Sequence, residues 1–160
     1  MAIRTIVTEG DPILGKTCRE VTAFDERLHT LLDDMLQTMR KHDGVGLAAN
    51  QVGLLKRVVV IEVDHKVYEL INPEVLKTSG EQTGAEGCLS VPGEYGIVTR
   101  PSIVTVRAQD RDGNWFEYKG TGLTARCICH ELDHLDGHLF TEKCERMLSE
   151  DEIKGSGSEG

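Results

Sequence analysis

The sequence lacks any run of about 18 or more consecutive apolar residues, the length a membrane-spanning helix needs. Its opening residues, Met1-Ala2-Ile3-Arg4-Thr5, lack the apolar core of a secretory signal, so a cytoplasmic location is the expectation. Basic residues are scarce: 18 Lys and Arg stand against 27 Asp and Glu, a formal charge of −9, and no basic stripe gathers them. That balance argues against direct binding to nucleic acid or to an anionic membrane, and it suits simple solubility. The five cysteines (Cys18, Cys88, Cys127, Cys129 and Cys144) are odd in number and come without an export signal. A disulfide framework is not expected, and thiol or metal chemistry becomes the question. No Gly-Lys-Ser/Thr follows the glycine-rich stretch at residues 44–53, which excludes a phosphate loop.

What is present suits one soluble domain. The chain has 160 residues, 39% apolar and 28% charged, enough to bury a core unaided. Leu28, Leu31, Leu32, Met35, Leu36 and Met39 fall on one face of a helix predicted from about residue 25 to 42, capped by Asp25 and ended by Gly44. Residues 57–63 read as a buried strand, 64–66 as a turn and 67–71 as the return strand, with Asn72-Pro73 as punctuation. Strands at 103–108 and 115–118 flank the hairpin signal Asp112-Gly113. A second helix is predicted from about 124 to 136, capped by Thr121 or Thr124 and closed by Gly137. Residues 149–160 are polar and end in Gly-Ser-Gly-Ser-Glu-Gly. They are expected to be a disordered tail, which an artificial appendage would also explain. The order of elements predicts an α+β domain over residues 1–148.

His130-Glu131-Leu132-Asp133-His134 carries the H-E-x-x-H pattern of metal hydrolases. Four residues advance a helix by about 400°, so the two imidazoles stack and can converge on one cation. Glu131 points about 100° away, where a general base for a metal-bound water belongs. Two histidines need a third ligand. His138 reads better as an exposed loop histidine. Cys88 is the stronger candidate, in a stretch, residues 86–93, bounded by glycines and a proline. Cys127, one turn before His130, could close a structural site, but three ligands from one helix is awkward, so it reads as packing or pocket lining. Cys129 reads as core.

Three ordered segments resemble the peptide deformylase family: G-x-G-x-A-A-x-Q at residues 44–51, E-G-C-L-S at 86–90 and H-E-x-x-H at 130–134. The flanks Asp11-Pro12-Ile13-Leu14 and Leu135-Asp136-Gly137 agree, and the resemblance spans about residues 3–142. It implies antiparallel strands around a central C-terminal metal-binding helix, with a long N-terminal helix. It implies one divalent ion on Cys88, His130 and His134, Fe(II) in the cell, with Ni, Co or Zn able to substitute. The implied reaction removes the formyl group from the N-formylmethionine of new polypeptides and releases formate, with metal-bound water as nucleophile. Glu131 would be general base and then acid, and the Gln51 side chain and Leu89 backbone N–H would stabilise the oxyanion. Val45, Gly46, Glu86 and Gly87 would hold an extended substrate backbone, and Leu123 and Cys127 would line the methionine pocket. Implied partners are N-formylmethionyl nascent chains and, transiently, the ribosome, although a short acidic tail stands where some members have a longer docking helix. Two positions depart from the common pattern: Cys129 where Gln is usual, and Glu142 where Asp is usual. Two rivals use the same helix. A metallopeptidase would not require the segments around Gln51 and Cys88, and a structural zinc site closed by Cys127 would make Glu131 dispensable.

Overall fold

A computed structural model describes residues 2–156. Its strands are β1 (Gly46–Ala48), β2 (Val58–Val63), β3 (Lys66–Ser79), β4 (Gln82–Cys88), β5 (Val91–Arg100), β6 (Ile103–Gln109), β7 (Trp115–Thr121) and β8 (Arg146–Met147). Its α-helices are α1 (Glu26–Lys41), α2 (Gly122–Leu135) and α3 (Glu150–Ser156). β1, β2, β3, β6 and β7 pair antiparallel in the order β1-β2-β3-β6-β7, and β4, β5 and β8 form a smaller sheet.

The run Val58-Val59-Val60-Ile61 is apolar at every position because the larger sheet is covered on both faces. Val58 and Val60 pack under Leu28, Leu31, Leu32, Met35 and Met39 of α1. Val59 and Ile61 face the other way, against Ala125, Ile128, Leu132 and Leu135 of α2, with Val104, Val106 and Ala108 beside them. Helix α2 therefore lies between the two sheets, and the expected α+β arrangement around a C-terminal helix is what the chain adopts. Asp25 caps α1, its Oδ1 accepting from the Leu28 N–H at 3.1 Å, and Arg40 and Lys41 close it in the favourable last turn. Gly137 follows α2 with φ +82°, and a Cβ there would stand 2.6 Å from the Gly15 carbonyl oxygen. Only glycine lets the end of α2 seat against the 3₁₀ turn Pro12–Gly15.

Several expectations are corrected. Asn72-Pro73 does not end a strand: β3 runs through it to Ser79 with a register shift between Ile71 and Glu74. Asn72 takes the left-handed conformation, φ +52°. Its amide holds both backbone groups of Val21, accepting from N at 2.8 Å and donating to O at 2.9 Å. The stretch around Cys88, for which no strand was expected, is the end of a β4–β5 hairpin, hidden because Gln-Thr-Gly-Ala-Glu-Gly-Cys has no apolar alternation. Thr121 occupies the cap position of α2 without a side-chain cap bond. The tail is helical over Glu150–Ser156 rather than disordered. Ser149 explains the start, its hydroxyl accepting from the Glu152 N–H while the Glu152 carboxylate accepts from the Ser149 N–H. The rest of the expected tail, residues 157–160, lies outside the described residues. Among the described residues no helix is long and apolar enough to cross a membrane.

Candidate metal centre

Helix α2 places His130 and His134 one turn apart, with ring centroids 5.1 Å from each other. Cys88, at the end of β4, brings Sγ to 3.3 Å from His134 Nε2. One ligand atom from each of the three lies within 4.8 Å of the others. A thiolate with two imidazoles suits zinc and the neighbouring divalent transition metals. The surroundings fit an ion that keeps a position open: Glu131, beside the histidines, is buried, and its Oε1 has no hydrogen-bond partner among the described residues. Neither alternative ligand joins the group. His138 is exposed and lies 3.3 Å from Glu142, and Cys127 is packed in the core.

The electrostatics separate these side chains. Burial raises Glu131 to about 7, only partly opposed by His130. Burial, with the charges of His130 and Arg100, holds His134 well below the usual imidazole value, leaving it neutral and able to donate a lone pair. For His130 burial acts downward, but Glu131 and contacts to Cys88 and Glu86 outweigh it and raise the group. Cys127 is pushed up to about 12 by burial and by the carboxylates of Glu131 and Glu86, an inert thiol.

Glu86 has a side-chain part that the sequence did not disclose. Its Oε1 lies 2.9 Å from His130 Nδ1 and accepts from Arg100 Nη2 at 2.9 Å. Its Oε2 accepts from Arg100 Nε at 2.9 Å and Arg126 Nη1 at 2.6 Å. Burial alone would raise this carboxyl, yet the bonds from His130 and Arg100 hold it at about 2. Arg100 continues to Asp133 Oδ2 at 2.6 Å. A metal-ligating histidine characteristically has such a partner on its second nitrogen. The available signal was slight: Arg126 precedes His130 by four residues, one helical turn.

Gln51, in the 3₁₀ turn Ala49–Val52, is buried and fixed at both ends of its amide. Oε1 accepts from the Ala48 N–H at 2.9 Å, which turns Nε2 toward Ser90 Oγ at 3.0 Å and Cys88 Sγ at 3.5 Å. Ser90 and Asn50 are further residues that take part, though neither carried a role read from the motifs. Asn50 Nδ2 donates to the His134 carbonyl at 2.7 Å, tying the Gln51 turn to the end of α2. From behind, the N-terminal segment clasps both motif segments: Val7 N–H donates to the Gln51 carbonyl and Glu9 N–H to the Ser90 carbonyl, each at 2.7 Å. Gly46 is glycine for a concrete reason, since a Cβ there would sit 2.6 Å from Glu131 Oε2.

These groups open into one cleft. Val45 and Gly46 line one side, Glu86, Gly87, Cys88 and Leu89 the other, and Gln51, Leu123, Cys127, His130 and Glu131 complete it. Leu123 stands half exposed, and Cys127 is buried. His134 is fully buried beneath. Every sequence-predicted site residue is thus at the cleft or directly under it. The arrangement can hold a cation, a base of near-neutral pKa and an oriented amide donor between two strand edges.

Comparison with known proteins bears on this geometry. The family model described as Polypeptide deformylase matches residues 3–150. A peptide deformylase of Agathobacter rectalis is 60% identical over 148 residues, 92% of this chain and 94% of that one. The crystal structure of a peptide deformylase from Legionella pneumophila superposes with a TM-score of 0.86 at 43% identity, covering 96% of this chain and 90% of that one. A Met-Ala-Ser-bound class I type b peptide deformylase from Acinetobacter baumannii gives a TM-score of 0.86 at 35% identity, covering 88% of this chain and 98% of that one.

Proposed function

The chain belongs to the polypeptide deformylase family, and from that premise we propose that its cleft removes the formyl group from N-formylmethionyl peptides and releases formate. The observation that carries this reading is the convergence of Cys88, His130 and His134 beside a buried, unpartnered Glu131 oxygen. A divalent ion held by those three ligands supplies Lewis-acid polarisation and lowers the pKa of water. We assign Fe(II) as the ion in the cell, with Ni, Co or Zn able to replace it.

The protein's own groups account for the remaining steps. The substrate backbone lies extended between the β1 edge at Val45 and Gly46 and the β4 edge at Glu86 and Gly87, in the manner of strand addition. The methionine side chain enters between Leu123 and Cys127, and the neutral thiol of Cys127 keeps that wall apolar. Gln51 Nε2 and the Leu89 N–H meet the negative charge that develops on the formyl oxygen, and such donors each contribute about 10²–10³ in turnover. Glu131, near pKa 7, takes the proton from the attacking water and returns it to the departing amine. A Met-Ala-Ser peptide occupies the Acinetobacter baumannii relative, and that sequence supports a methionyl peptide as the ligand of this cleft.

We assign the catalytic domain to residues 1–148, and place the protein in the cytoplasm, where formylated chains are made, with transient contact to the ribosome. The test is formate release from formyl-Met-Ala-Ser by anaerobically purified protein loaded with Fe(II) or Ni(II). Release with turnover is expected; none from protein shown to carry one metal per chain would sink the reading.

A further inference from the structure

Arg126 has no part in the reaction as derived above. It leaves α2 one turn before His130, on the same face. Its side chain is largely buried at the cleft. Nη1 donates to Glu86 Oε2 at 2.6 Å and to the Val98 carbonyl at 3.2 Å, and Nη2 to the Gln82 carbonyl at 3.5 Å. Gln82 opens β4, Val98 lies in β5, and Glu86 stands two residues before Cys88. One guanidinium on the histidine-bearing helix therefore grips both strands of the hairpin whose end supplies the thiolate.

The chemistry of the group fits a brace better than a filler. A planar fork of donors can satisfy a carboxylate and two carbonyls at fixed separations, which a flexible ammonium cannot. Burying a guanidinium is strongly unfavourable unless it is fully paired, so a side chain that merely filled this wall would be apolar. Arg100 answers from the opposite direction: it rises from β5, binds the same Glu86 and reaches Asp133 on α2. The two arginines cross between the same two elements, one rooted in each.

We propose that Arg126 is a positioning residue that sets the spacing between the β4–β5 hairpin and α2, and so seats Cys88 against His130 and His134. The role rests on the metal reading given above. It acts through Glu86 and the Gln82 and Val98 carbonyls, without touching the reacting atoms.

Co(II) tests it, because a thiolate–cobalt charge-transfer band and the visible d–d bands report the ligand geometry apart from turnover. Arg126→Met is expected to weaken Co(II) binding by about ten- to hundredfold, to shift or weaken the thiolate band, and to lower kcat. KM for formyl-Met-Ala-Ser should change less than kcat, because the contacts at Val45, Gly46 and Leu123 lie outside the braced hairpin. Arg126→Lys should fall between the two proteins, and carries the same readouts if the methionine variant does not fold. A variant with lower Tm but unchanged cobalt affinity, spectrum and kcat would overturn the proposal in favour of a plain structural tie. A raised KM with unchanged kcat and spectrum would overturn it in favour of pocket lining. No thiolate band in the unmodified protein would overturn the metal reading itself, a result distinct from either.

Discussion

At the scale of single residues, the proposed roles divide between ligands and base, and substitutions should separate the two. Glu131→Ala removes a buried carboxylate outside the proposed ligand set, so the variant is expected to keep its metal and lose about 10²–10⁴ in kcat. Cys88→Ala removes a ligand, so metal should be lost along with activity. Elemental analysis beside formate release checks both, and an active Glu131→Ala enzyme would reassign the base. The inert thiols offer a pH test. Burial raises Cys18 to about 11, partly offset by Arg57, and Cys127 to about 12. Because these values lie above the ordinary 9.0, the fold favours the neutral thiol. That contribution is in place below pH 9 and is lost as pH rises through the raised values. Iodoacetamide at pH 8 should leave both unmodified in the native protein, with labelling by mass spectrometry rising steeply in alkali. Rapid labelling at pH 8 would contradict the burial.

At the scale of elements, Asn72 is the most exposed to a decisive substitution. Its amide makes bonds to Val21 N, Val21 O and Gln109 Oε1, the last at 2.7 Å, from a left-handed backbone inside β3. Asn72→Ala strands the Val21 groups and adds backbone strain, so a loss of about 2–3 kcal/mol is expected. It would be read as a lower urea midpoint at constant slope, and a change under about 0.5 kcal/mol would show the bulge is held otherwise. Elements with local signals were legible in the sequence. α1 announced itself by its leucine and methionine stripe and its Asp25 cap, and the His130 helix by a spacing that any α-helix turns into one face. β4 and β5 were not, because their residues carry no apolar alternation and their order comes from pairing with each other. Cys88 could be found only through its motif. The Glu86 network was out of reach for a different reason: residues 86, 100, 126 and 130 come from β4, β5 and α2, and no local pattern states that they meet.

At the scale of the molecule, most of the apolar core lies apart from the proposed metal ligands. The two largest clusters are built from α1, α2 and the larger sheet, and none of Cys88, His130 or His134 belongs to either. Chelation should therefore leave far-UV circular dichroism unchanged while lowering Tm, since bound ion adds RT ln(1 + [L]/Kd), about 2.7 kcal/mol at a hundredfold excess over Kd. Loss of secondary structure on chelation would instead point to a structural zinc.

The three proposed metal ligands come from two elements far apart in the chain: Cys88 closes β4, while His130 and His134 wait on a helix that begins at Gly122. Chains grow from the N-terminus, so a ribosome has added both strands of the hairpin before either histidine exists. Until residue 134 has been made and α2 has docked, the Cys88 thiol lacks both histidines of the group. A fragment that stops short of His134 lacks one of the three proposed ligands and is expected to be inactive rather than weakly active. Completion of the site is therefore expected to be among the last events in the making of each copy.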